Sequence, residues 1–120
     1  MVSAMSIVNA LAGIAVKDID AAVVWYEQIL GPASRPMDEV AEWQLPNGGC
    51  VQVFEDGIRA GLSSVTLVVE DLDREIAGLE SKGIRIGEKS RSDLVDVAIV
   101  QDQDGNQVVF AHAKSDVLVS

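Results

Sequence analysis

Apolar and polar positions along the chain follow two alternating rhythms. Residues 7–16 and 63–69 are apolar runs of strand character, and each closes on an acidic turn, Val16-Lys17-Asp18-Ile19-Asp20 in the first case and Val69-Glu70-Asp71-Leu72-Asp73 in the second. A helical period follows each turn. Ala22, Val23, Tyr26, Ile29 and Leu30 fall on one stripe after the first, and Leu72, Ile76 and Leu79 after the second. Asp18 can accept backbone N–H bonds as a cap, Asp20 favours the positive end of the helix dipole, and Gly31-Pro32 stops the helix. The second helix is expected over residues 71–82, ending near Gly83.

Hairpins come next in both halves. Residues 42–45 and 50–54 read as strands around Pro46-Asn47-Gly48-Gly49, and residues 94–101 and 107–112 as strands around Asp102-Gln103-Asp104-Gly105. Residues 33–36 form a short edge strand, where a proline without an N–H is tolerated, and residues 84–88 form its counterpart. The acidic turns lie 53 residues apart, whereas Asn47-Gly48 and Asp104-Gly105 lie 57 apart, so the second copy carries about four extra residues before its last hairpin. The chain is thus predicted to be one domain, residues 1–120, made by duplication of a βαβββ module. Module one covers about 7–55, a connector 56–62, module two 63–112 and a tail 113–120.

A chain of 120 residues, 48% of them hydrophobic, suits a single core. Nine basic against nineteen acidic residues give a net charge of −10, which disfavours nucleic acid and anionic membrane surfaces as partners. A neutral or cationic guest fits that charge; so does simple solubility. Cys50 is the only cysteine, so no intrachain disulfide can form, and a reducing, cytoplasmic location is expected. No Lys or Arg precedes the apolar opening, which reads as a frayed start and a first strand rather than a signal peptide. No uninterrupted apolar run is long enough to cross a bilayer.

The strand-Val-Lys-Asp-x-Asp-helix-Tyr-x-x-x-Leu-Gly opening, together with Asp102-x-Asp104-Gly105-Asn106 before an apolar strand, resembles the vicinal oxygen chelate superfamily. That group includes glyoxalase I, extradiol dioxygenases, and fosfomycin and bleomycin resistance proteins. The resemblance spans residues 7–112 and implies an α+β fold, with two βαβββ modules curling mixed sheets around a cup and helices outside. It also implies a homodimer. Metal-using members place ligands on the first and last strands of each module, which correspond here to Leu11, Gln52, Ser64 and Val109. Two of these have no donor atom, a neutral hydroxyl is a poor ligand, and an amide oxygen is a weak one. No metal and no other cofactor is therefore expected.

Strand alternation places Gly13, Ala15, Cys50, Phe54, Thr66, Val68, Gln107 and Ala111 on the same faces as those four positions. Ile14, Val16, Val51, Val53, Val65, Leu67, Val69, Val108 and Phe110 lie opposite, as a floor for the helices. The cup is then either an open ligand site or one closed by other side chains. Its ligand-binding set is expected to be Leu11, Gly13, Trp43, Gln52, Phe54, Ser64, Thr66, Gln107 and Val109. Within it, Gln52, Ser64, Thr66 and Gln107 would supply hydrogen bonds, while Trp43 and Phe54 would supply apolar contact. Trp43 could equally pack in the core or at a dimer interface.

No catalytic residue stands out. His112, the only histidine, has the wrong parity, and Cys50 lacks a partner histidine. Asp38, Glu39, Glu42 and Asp96 either meet a basic ligand or are solvated. The resulting expectation is a metal-independent protein that binds a small, neutral or cationic organic molecule, with antibiotics as one such class. A cofactor-independent or degenerate glyoxalase- or dioxygenase-like enzyme is the alternative.

Overall fold

A computed structural model describes residues 6–114. The elements run β1 (Leu11–Val16), α1 (Ile19–Leu30), β2 (Ser34–Met37), β3 (Val40–Gln44), β4 (Cys50–Glu55), β5 (Ser64–Val68), α2 (Leu72–Ser81), β6 (Glu88–Arg91), β7 (Val95–Gln101) and β8 (Gln107–Ala113). They form two four-stranded mixed sheets with equivalent orders, β1-β4-β3-β2 and β5-β8-β7-β6. In each sheet the first and last strands pair in parallel and the hairpins pair antiparallel. This is the α+β architecture that the repeat implies.

The repeated sequence makes the same backbone contacts twice. Asp18 accepts from the amides of Asp20 and Ala21, and Asp71 accepts from that of Arg74, so the two equivalent carboxylates cap the two helices. Leu45 N–H donates to Gly49 O, and Gly48 N–H to Leu45 O. Fifty-seven residues on, Asp102 N–H donates to Asn106 O and Gly105 N–H to Asp102 O. Gly48 and Gly105 both sit at positive φ, 97° and 93°, a conformation that glycine adopts without a Cβ penalty.

Each helix packs on one face of its own sheet, α1 on β3 and β4, α2 on β7 and β8. Ile14, Val16, Tyr26, Val51 and Val53 join Val65, Leu67, Ala98, Val108 and Phe110 in one continuous core. The opposite sheet faces are left uncovered.

Several boundaries differ from the sequence expectation, three of them for a visible structural reason. β1 begins at Leu11 rather than at residue 7, because β4 offers its first partner, Cys50, opposite Leu11, and Ile7 and Val8 stand exposed. β6 is the polar, fully exposed Glu88–Arg91, not residues 84–88. Ile84 instead is buried and its amide bonds Leu79 O, closing the end of α2. Residue 113, expected to start the tail, ends β8, and Lys114 N–H still bonds Leu94 O. Residues 115–120 lie outside the described residues.

The modules are joined by a buried polar network at the Asp102–Asn106 turn. Asn106 is fully buried; its Oδ1 accepts from Ser63 N–H at 2.9 Å, and its Nδ2 donates to Ala15 O at 2.7 Å and to Asp102 Oδ2 at 2.8 Å. Tyr26 on α1 donates its hydroxyl to Asp102 Oδ2 at 2.7 Å. Asp102 Oδ1 takes the amides of Asp104 and Asn106. Burial and then the Asp102 carboxylate raise the Tyr26 hydroxyl far above the ordinary phenol range, so it remains a donor. Outside the network, Lys17 N–H donates to Asp104 Oδ2 and Ala15 N–H to Ser63 Oγ.

Gly61 completes the junction. Its φ is +89°, and a Cβ there would lie 2.5 Å from Asp104 O, a backbone atom that cannot step aside. Asn106→Ala leaves Ala15 O and Ser63 N–H without their side-chain partner and removes one of the donors to Asp102, and is expected to cost about 3 kcal/mol or more in urea unfolding. Gly61→Ala is expected to cost roughly 1–3 kcal/mol. Losses below about 0.5 kcal/mol, the range of ordinary surface substitutions, would show that the junction does not hold the modules together.

Candidate functional site

Cross-strand register assigns every side chain to a sheet face. On the first sheet Leu11 and Gly13 of β1 lie opposite Cys50 and Gln52 of β4, and Gln52 and Phe54 lie opposite Glu42 and Val40 of β3. These share the face away from α1. On the second sheet Ser64 and Thr66 lie opposite Gln107 and Val109, which face Gln101 and Ile99 of β7. Eight of the nine expected residues therefore lie on the two uncovered faces, four on each sheet.

The first face has a defined arrangement. The Phe54 ring lies over β1 where Gly13 has no side chain, since a Cβ on Gly13 would come within 3.3 Å of it. Arg59 from the connector stacks its guanidinium 5.2 Å from the ring centroid, a cation–π contact. Gly13 thus contributes space for an aromatic ring rather than a ligand contact of its own. Beside it, Gln52 Nε2 donates to Glu42 Oε2 at 2.8 Å, which orients the amide and leaves its oxygen as an acceptor. Burial, then the charge of Glu42, raise the Cys50 thiol above its ordinary value, which keeps it protonated and poorly nucleophilic.

The second face is more apolar at its centre and polar at its turn end. Arg85, Glu88, Ile99, Gln101 and Gln107 line a hollow of about 480 Å³ beside the Asp102 turn. Ser64 and Thr66 on β5 and Val109 on β8 continue the face away from it.

Trp43 is the correction. It pairs with Val51, a core residue, so it points to the helix side, where it is 3% exposed. Its indole Nε1–H donates to Gly31 O at 2.7 Å, and its ring lies 6.1 Å from that of Tyr26. The indole closes the end of α1 and is not available to a guest. Glu42, one residue away, takes the sheet-face position instead. The turn fixes this parity, because Leu45 opposite Gly49 places residue 43 opposite 51. Arg59 carries no comparable sequence signal, since it comes from the connector.

Asp96 is neither solvated nor free for a ligand. It is buried on the helix side of β7, with Arg91 Nη1 at 3.0 Å from Oδ2 and Lys114 Nζ at 3.1 Å from Oδ1. Arg91 also reaches Asp73 on α2.

The metal positions do not fit a metal. Leu11 and Val109 offer hydrocarbon, and Ser64 and Gln52 offer neutral oxygens. Among the described residues no three His, Cys, Asp or Glu side chains converge to hold an ion.

No family model matches the chain, and no curated protein does. Solved structures match closely. A glyoxalase/bleomycin resistance protein from Catenulispora acidiphila DSM 44928 is 33% identical, with a TM-score of 0.80 over 88% of this chain and 97% of that one. TnmS3, an antibiotic binding protein from Streptomyces sp. CB03234, is 18% identical with a TM-score of 0.78, over 92% of this chain and 99% of that one. A bleomycin resistance determinant encoded on the transposon Tn5 is 17% identical with a TM-score of 0.75, over 91% and 100%. The last two share the fold.

The Asp96 cluster yields a pH prediction. Burial alone would raise this carboxyl, but Lys114 and then Arg91 outweigh it and hold the group below its usual range. A folded-state pKa below the unfolded one contributes stability above the unfolded value, about 3.9, and loses it as pH falls through the folded value. Asp96→Asn should therefore unfold at lower urea than the parent at neutral pH, with the two midpoints converging as the pH drops below about 4. A constant gap across that range would contradict the assignment.

Proposed function

The chain belongs to the glyoxalase/bleomycin resistance protein family of the vicinal oxygen chelate superfamily, and from that premise we propose that it binds a small organic molecule, without a metal, on the uncovered faces of its sheets. The observation that carries this reading is the chemistry of those faces. Gln52, Ser64, Thr66 and Gln107 bring hydrogen-bonding groups, and Phe54 and Val109 bring apolar surface. The positions where metal-using relatives hold an ion lack the atoms to grip one. Glu42 adds a carboxylate beside Gln52, and the net charge of −10 steers neutral or cationic guests in preference to anions. That TnmS3 binds an antibiotic supports the same class of guest.

A second copy of the chain would complete the site. Leu11 and Val68 are 52% and 56% exposed on these faces, and a homodimer would cover them while walling in the guest. The single cysteine supports a reducing, cytoplasmic location in this reading. Neither nucleic acid nor a membrane is a partner in this reading, given the charge; no helix among the described residues is long and apolar enough to cross a membrane.

Thermal-shift screening of neutral and cationic metabolites and antibiotics, with recovery of each hit for mass analysis, tests the proposal. At least one guest should raise the melting temperature by on the order of 5 °C at saturation and be recovered unchanged. Thr66→Ala or Gln52→Ala should reduce that rise. A guest converted without added metal would favour a cofactor-independent enzyme, with Glu42 as the acid on the first face. A complete absence of shifts would contradict ligand binding.

A further inference from the structure

The duplication exposes a second site. At one end of the junction, Asp102 and Asn106 lock the second hairpin turn to Ala15 and Tyr26. The equivalent positions of the first hairpin turn, 57 residues earlier, are Leu45 and Gly49, and the equivalents of Ala15 and Lys17, 53 residues later, are Val68 and Glu70. Leucine and glycine cannot make the hydrogen bonds of aspartate and asparagine. Where a second lock would lie, a cavity of about 750 Å³ opens instead, with Leu45, Gly49, Val68 and Glu70 all in its wall.

The cavity has an apolar body and an acidic edge. Leu30 at the end of α1, Leu45 and Phe110 give it hydrocarbon and aromatic surface, while Glu70 and Glu75 bring two carboxylates and, among the described residues, no lysine or arginine lines it. His112 adds an imidazole ring, whose Nδ1 lies 3.1 Å from Val69 O, a carbonyl that can only accept, so the ring donates there through Nδ1. A space of this size, mostly apolar with a few polar groups, has the anatomy of a small-molecule site.

We propose that this cavity at the module junction is a binding site for an amphipathic organic cation; it shares Thr66 and Val68 of β5 with the uncovered face of the second sheet and extends from there to Leu45 and Glu70. The hydrocarbon part lies against Leu30, Leu45 and Phe110, and the ammonium lies at Glu70 and Glu75. Charge selects the ligand class, since an anion would meet two carboxylates with no cation to offset them. The site exists because the two halves differ: the turn with Asp102 and Asn106 closes its end of the junction, and the turn with Leu45 and Gly49 leaves room for a guest.

Titration of the full chain with 4-phenylbutylamine, followed by amide NMR, tests this, with 4-phenylbutanol and 4-phenylbutanoate as matched neutral and anionic probes. The amine should shift the amides of Asn47, Gly49, Val69, Glu70 and His112 saturably, and bind about tenfold more tightly than the alcohol; the acid should not bind. Glu70→Gln with Glu75→Gln should reduce the amine to the affinity of the alcohol. Leu45→Trp, which fills the space, should abolish both, and unchanged amide dispersion elsewhere would confirm that these variants fold. Equal binding of all three probes, shifts centred on Gln52 and Val109, or no saturable shift would each overturn the proposal. None of those results bears on whether the sheet faces take a different guest.

Discussion

One buried asparagine fixes the relation between the two halves of this protein. Asn106 accepts from a backbone amide at the start of β5 and donates to a backbone carbonyl in β1, so the edge strands of both sheets are tied to one side chain. Removing it would leave a buried carbonyl and a part-buried amide without their partner, and that asymmetry gives the contact its weight. Asp102 orients the amide from below and takes the Tyr26 hydroxyl, which brings α1 into the same network. The apolar core under the two helices is large but directionless. The network supplies the direction.

Locking the halves through one turn determines what the remaining surfaces can do. Each module commits one sheet face to its helix and leaves the other free, so the chain builds two uncovered faces by default. Phe54 over Gly13, Gln52 held by Glu42, and the hollow beside Gln107 then give those faces shape and polarity. At the positions where the family resemblance implies an ion in metal-using members, Leu11 and Val109 carry no donor atom. Function in this architecture lies in a few side chains carried on a constant frame.

Much of the frame was legible in the sequence because it is written twice. Two acidic caps and two glycine turns at fixed offsets identify βαβββ modules even where individual strands are ambiguous, and two-residue alternation separates the core face from the open one. The failures have local causes. Hydrophobicity pointed to Ile7 and Val8 as strand, but a strand needs a partner, and β4 begins only opposite Leu11. Apolarity likewise favoured residues 84–88 over the polar Glu88–Arg91, although an edge strand needs only one neighbour and no burial. Trp43 was drawn to the open face by its chemistry, against a parity that the Leu45–Gly49 turn already dictated. The roles of Asn106 and of Arg59 depend on contacts across the chain, with Ala15 and Ser63 in one case and Phe54 in the other, and no local pattern announces them.

The account rests on the proposal that the sheet faces take an organic guest and hold no metal ion. Native mass spectrometry of untagged protein, purified without chelator from cells grown with added manganese, nickel, zinc and iron, tests that most directly. The expected result is a chain mass without bound metal. A stoichiometric adduct, lost when Gln52 and Ser64 are replaced by alanine, would contradict it.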